Sequence, residues 1–233
     1  YDLVALPVVD NENRLVGIVT VDDAIDVIQE EATEDIEKMA AILPSDKPYF
    51  KTGVFSTFKA RIPWLMLLMI SATLTGAIIS SFEEKLTFVP ALIAFIPMLM
   101  GTGGNAGGQA SVTVIRGLAI GEVELRDVFR VLWKEIRVSV LCGVVLSVAG
   151  FVKILLIDNL LLNAGVSMRE AAVVSITLAL TVFFSKVIGC TLPILAKKLG
   201  LDPAVMASPF ITTLVDAISL LVYFSIARSF LPI

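Results

Sequence analysis

The chain contains no histidine. Any cation it handles is therefore met by oxygen or sulfur, and imidazole-based metal sites, proton relays and catalytic dyads are excluded. Sulfur is scarce as well. The two cysteines, Cys142 and Cys190, both lie in apolar runs, where cysteine behaves as a small apolar packing residue, whereas a disulfide framework or a zinc cluster calls for more cysteines at motif spacing. Charged residues make up only 17% of the 233 positions, with no clustered basic face of the kind that binds nucleic acid. No signal peptide is visible and the first residue is not methionine, so the chain is expected to be a piece of a longer one.

What is there is apolar. The chain is 57% hydrophobic, its mean hydropathy is +0.90, and several runs are long enough to cross a hydrocarbon layer of about 30 Å. The charge is divided unevenly: residues 1–58 hold 12 acids and 4 bases, while residues 59–233 hold 10 acids and 14 bases. The expectation is an all-α polytopic membrane protein with five transmembrane helices, preceded by a cytosolic connecting helix and a small β–α unit. Residues 3–9 and 15–20 read as strands joined by the turn Asp10-Asn11-Glu12-Asn13. Thr20 and Asp23 have capping-box spacing for a helix from Val21 to about Ala41, stopped by Pro44 and Pro48. The boundaries expected are 1–20, 21–50 for the acidic connecting helix, 51–61 for an amphipathic juxtamembrane segment lying on the bilayer, and 62–233 for the membrane domain.

The five spans are expected near 62–82, 88–115, 136–157, 171–196 and 205–230. Lys47, Lys51, Lys59 and Arg61 precede the first, Arg116, Arg126, Arg130 and Lys134 separate the second and third, and Lys197 and Lys198 separate the last two. The alternate side carries only Lys85, Arg169 and Arg228. The positive-inside bias then puts the N-terminal part in the cytoplasm and the C-terminus outside, in a cell inner or plasma membrane.

The last span contains Asp216, with no basic residue within ten positions on either side. A carboxylate at that depth costs about 2.5–3.5 kcal/mol on insertion scales and marks an ion path or a bundle interior. Thr212, four residues earlier, shares its helix face. The plainer alternative is a structural carboxyl paired across helices, with Lys186 as the candidate partner. Pro209 is expected to interrupt this span and free the carbonyl of Val205, while Asp202-Pro203 reads as an N-cap followed by a first helical residue. In the second span, Pro97 is expected to remove a helical donor and free the carbonyl of Ile93, and five of the eight residues from Gly101 to Gly108 are glycine. Two readings compete: close helix packing through Gly103/Gly107 and Gly104/Gly108, or a loosened, pore-facing stretch offering carbonyls with the amides of Asn105 and Gln109.

One carboxylate per chain is too few for a dehydrated Ca²⁺ cage, but Mg²⁺ keeps several waters and needs less from the protein. Two copies of Asp216 in a symmetric dimer would suit it best, with Mn²⁺ and Co²⁺ left open by the residue types. On the connecting helix, eight acids fall in the sixteen residues from Asp22 to Glu37; like charges at this spacing repel, and the face reads either as solvated or as a cation sensor.

The stretches GTGGNAGGQ, DPAVMASPFITTLVD and VDDAIDVIQEEATEDI resemble the MgtE magnesium channel family, and the similarity covers essentially the whole chain. The first twenty residues look like the end of a CBS domain and residues 21–50 like its plug helix. The resemblance implies a homodimer of five-span subunits in the lipid bilayer, with Mg²⁺ as both transported and regulatory ion. It assigns hydrated Mg²⁺ in the pore to Asp216, with Gly101, Gly104, Thr212 and Asn105 lining the site. It assigns cytosolic regulation to Asp22, Asp23, Asp26, Glu31, Glu34 and Asp35. Members often carry asparagine where Gly108 stands and a neutral residue in place of Lys186. A carrier exchanging Mg²⁺ or another divalent ion for Na⁺ or H⁺ is the alternative, weakened by the lack of internal repeats. An enzyme is not expected: an intramembrane aspartyl hydrolase needs a second carboxylate, and the expected spans offer none.

Overall fold

The computed structural model of the chain describes residues 2–45, 47–83, 89–206 and 208–231. Lys85 and the expected start of the second span at Phe88 lie outside the described residues. Strands β1 (Ala5–Val9) and β2 (Leu15–Thr20) pair antiparallel, with Leu6 opposite Val19 and Val8 opposite Gly17. Asp10 builds the turn, its carboxylate accepting from the N–H groups of Glu12 and Arg14 at 2.8 and 2.9 Å. Helix α1 (Val21–Met39) starts at the expected capping box: Asp23 N–H donates to the Thr20 hydroxyl at 3.3 Å and Thr20 N–H to the Asp23 carboxylate at 2.7 Å. It ends where Ala41 turns left-handed (φ 55°). Most of its apolar stripe is uncovered, with Ile28 66% and Ile36 63% exposed, whereas Met39 packs against Ile115 and Ala204.

A single turn at Tyr49–Lys51 leads into α2 (Val54–Ser81). Residues 54–61 of the expected juxtamembrane stretch are thus the first two turns of a long helix. A 3₁₀ segment, Pro90–Phe95, precedes α3 (Ile96–Ala119). Then come α4 (Val128–Lys153), which continues as a π-helical stretch over Ile154–Leu161, and α5 (Met168–Lys198). A 3₁₀ turn at Pro203–Met206 leads to α6 (Ser208–Phe230).

Among the described residues, four helical rods are long and apolar enough to cross a membrane: Val54–Ser81, Leu125–Leu161, Met168–Lys198 and Pro203–Phe230. The fold is that of an all-α polytopic membrane protein. The second expected span corresponds to α3, which with 24 residues is about 36 Å long. Its glycines, Asn105 and Gln109 lower its hydropathy, and it packs against both α5 and α6. The core follows from that placement. Leu92, Leu99, Val173, Val174, Leu220, Tyr223 and Phe224 are buried together, and the Tyr223 hydroxyl donates to the Leu92 carbonyl at 2.9 Å. In contrast α2 has no buried residue.

The proline expectations need correcting. Pro97 and Pro209 each sit in the first turn of a helix, where the missing N–H breaks no helical bond. The carbonyl taken up at this end of α6 is that of Pro209 itself, which accepts from the hydroxyls of Thr212 (2.9 Å) and Thr213 (3.1 Å). Asp202 does cap, accepting from Ala204 N–H at 2.8 Å, but the turn it opens is the 3₁₀ segment before α6.

Candidate ion site

The glycine-rich stretch is helical throughout, and its two readings divide between two faces of α3. On one face the glycines are close-packed. A Cβ on Gly103 would meet the Thr181 methyl at 2.7 Å and Val215 at 2.9 Å; one on Gly107 would meet Ile211 at 2.8 Å and the Ser185 carbonyl at 3.1 Å. Without a hydrophobic drive between helices in lipid, such close approach is what holds them together. The other face is open. Gly101 and Asn105 are exposed there, and nothing lies within 4 Å of a Cβ built on Gly101.

Gly101, Gly104, Asn105, Thr212 and Asp216, with Met100, line one cavity of about 170 Å³. Helix α3 supplies the first three and α6 supplies the threonine and the carboxylate, which follow one another by one turn. The two helices come this close because Gly104 has no side chain: a Cβ there would lie 2.8 Å from the Thr212 methyl. All five sequence-predicted pore residues are therefore brought together. Asp216 is half-buried, and among the described residues its carboxylate has neither an ion pair nor a hydrogen bond. It is not paired with Lys186. That lysine, buried on α5, faces Glu135 on α4 at 3.9 Å. Chemically the cavity offers one anionic oxygen pair, an amide, a hydroxyl and helix backbone. Among the described residues no three acidic or cysteine side chains converge on one point.

Two buried carboxylates escaped the reading of the sequence. Glu135 and Asp158 stand one residue outside either end of the expected 136–157 span, and the helical rod extends past both. Asp158 takes both oxygens to Lys153 at 2.8 Å. Neither lines the Asp216 cavity, so no aspartyl pair forms there. The signal available was that each has a lysine nearby in the chain, Lys134 and Lys153.

The predicted regulatory acids divide as well. Asp26, Glu31 and Glu34 line a cleft of about 560 Å³ with Glu30, Glu37 and Lys47. Asp22 and Asp23 do not reach it. Asp23 is occupied in the cap, and the hydroxyl and N–H of Thr20 hold its carboxyl below the usual range. Asp35 points away from the cleft; burial, reinforced by the Asp202 carboxylate, pushes its pKa up. Between them lies Lys38, whose ammonium bridges Glu34 and Asp202 at 2.5 Å each and is held protonated by Asp202 and then Glu34. Burial works against ionised Asp202, but the Lys38 ammonium and the Ala204 N–H outweigh it and keep its pKa low. This fork ties α1 to the approach of α6.

Comparison with known proteins places the chain. A family model described as MgtE, divalent cation transporter, matches residues 96–226, and a CBS domain model matches residues 1–30. The chain is 43% identical over 228 residues to a Magnesium transporter MgtE of Thermus thermophilus, covering 98% of this chain and 49% of that protein. It is 43% identical over 233 residues to one of Bacillus subtilis, covering 99% and 49%, and 35% identical over 235 residues to one of Enterococcus faecalis, again 99% and 49%. The chain spans about half the length of these curated relatives. The matched region contains α3 and α6 with the Asp216 cavity between them, and the chain belongs to the MgtE family of divalent cation transporters.

Proposed function

We propose that this chain is the membrane part of a Mg²⁺-selective channel, in which two copies of Asp216 across a homodimer interface recognise the hydrated ion. The observation that carries the reading is the open cavity uniting Asp216, Thr212, Gly101, Gly104 and Asn105 on the outside of the chain. At about 170 Å³ it has room for several waters, in keeping with an ion that enters with its shell. An unpaired carboxylate in this setting is unfavourable until a cation arrives; a second copy facing it doubles the attraction for a divalent ion. The Mg²⁺ named for the curated relatives is the ion whose slow dehydration best matches such a site.

The acidic face of α1 supports gating by the same ion. Asp26, Glu31 and Glu34 crowd one cleft, and cytosolic Mg²⁺ there relieves their repulsion and holds α1 against the pore domain. In this arrangement the N-terminal part is cytoplasmic and the C-terminus outside.

The test is Mg²⁺ flux into vesicles carrying the full-length protein. Asp216→Ala abolishes flux while the dimer still forms by size exclusion; retained flux refutes the assignment of Asp216. Flux that follows an imposed H⁺ or Na⁺ gradient would instead identify an exchanger.

A further inference from the structure

Asn105 also lines a second cavity, of mixed polar and apolar walls. Thr102, Asn105, Gln109, Cys142 and Lys186 line about 160 Å³ between α3, α4 and α5. Asn105 belongs to both cavities, so the Lys186 chamber and the Asp216 chamber adjoin through one side chain. Lys186 has a side chain only 6% exposed, and its counter-charge, Glu135, lies 3.9 Å away with 11% exposure. That separation is beyond hydrogen-bond length. Glu135 does not line the cavity, whereas Lys186 does; of the pair, the lysine is the member that shares a cavity with Asn105.

We infer that Lys186 is a specificity- and rate-determining charge for the permeating cation, an ammonium behind Asn105 that weakens the hold of the Asp216 site on multivalent ions. The inference rests on the reading of Asp216 as the ion site. Conduction requires an ion to be bound well enough to enter and loosely enough to leave. Two carboxylates facing one divalent ion favour capture, and a fixed positive charge about one helix width away, on the order of 10 Å, offsets it. The Coulomb energy is proportional to ion charge, so the effect is graded: a trivalent ion feels half as much again as a divalent one.

The experiment uses the full-length protein in vesicles and compares wild type with Lys186→Gln, Lys186→Met and Lys186→Arg. The half-saturating Mg²⁺ concentration falls about tenfold in both neutral variants, with a lower maximal flux. Inhibition by an inert trivalent hexaammine complex, a substitute for the hydrated ion, strengthens about thirtyfold in the same variants, and Lys186→Arg leaves both values at wild type. Should Lys186→Gln fail to fold because Glu135 is stranded, Glu135→Gln/Lys186→Gln removes both charges and tightens both ions in the same order. Unchanged half-saturation in the neutral variants overturns the inference, as does an equal shift for both ions or an arginine variant that behaves like glutamine. Full flux in Asp216→Ala would instead strike the reading on which it rests.

Discussion

Gly189 on α5 offers the sharpest test of how the membrane helices are held. A Cβ built there collides with the carbonyl oxygen of Gly107 on α3 and lies 2.9 Å from its carbonyl carbon and 3.0 Å from its Cα. All three atoms are helix backbone, so no side chain can rotate aside, and Gly189→Ala forces α3 and α5 apart. Overpacking costs about 1–3 kcal/mol, and a backbone obstacle places this variant near the upper end. For a chain of this size about 3 kcal/mol lowers Tm by about 6–12 °C. Thermal unfolding in detergent, followed by the fluorescence of Trp64 and Trp133, reads the shift directly. Gly101→Ala is the matched control. Its new methyl meets nothing within 4 Å and it gains up to about 1 kcal/mol of helix propensity, so Tm holds or rises slightly while Mg²⁺ flux falls as the methyl enters the ion cavity. A Gly189→Ala protein that melts with wild type would refute the backbone contact between α3 and α5.

Two further predictions concern α1. The combined change Glu31→Gln, Glu34→Gln and Asp35→Asn in the full-length protein leaves the pore conducting at high cytosolic Mg²⁺, measured as flux against internal Mg²⁺; normal closure would make the acidic face a merely solvated one. Docking of α1 also carries a pH signature, read by protease protection of residues 21–45. The raised pKa of Asp35 means its protonated form is favoured in the docked state, so docking tightens as pH falls from neutral through that raised value. The lowered pKa of Asp202 acts oppositely and loosens docking only below its ordinary value of 3.8. Asp35→Asn removes the tightening phase and keeps the loosening one; an unaltered profile would show that Asp35 does not face Asp202.

Local features were readable in the sequence because their signals are local. The Asp10 turn, the Thr20–Asp23 capping box, and the Thr212–Asp216 pairing on one face each depend on spacings of four residues or fewer. The assembly of Gly101, Gly104 and Asn105 against Asp216 came from resemblance to a family, since nothing in the periodicity of α3 says which glycine face turns to α6. The same limit explains Lys186. Its partner, Glu135, is fifty-one positions away, and which of two buried acids it meets depends on how α4 and α5 are rotated about their axes. Uniformly apolar helices carry little information on that rotation. The proline misreadings have a different cause: Pro97 and Pro209 look disruptive inside a long apolar run, but the runs are divided by short 3₁₀ turns that put each proline at a helix start. Lys38 reaching Asp202 across 164 positions had no sequence signal at all.

The absence of side-chain atoms between Gly107 and Gly189 also divides the membrane domain by mobility. A side-chain contact can adjust by hopping between rotamers on fast timescales, but two backbones in direct contact can only slide or separate as whole helices. Helices α3 and α5 are therefore held main chain to main chain at this point. The α3–α6 seam differs, because Gly104 and Gly103 meet side-chain atoms there, the Thr212 methyl and Val215. A methyl added at Gly189 thus meets a wall of main chain, whereas one added at Gly104 meets the side chain of Thr212.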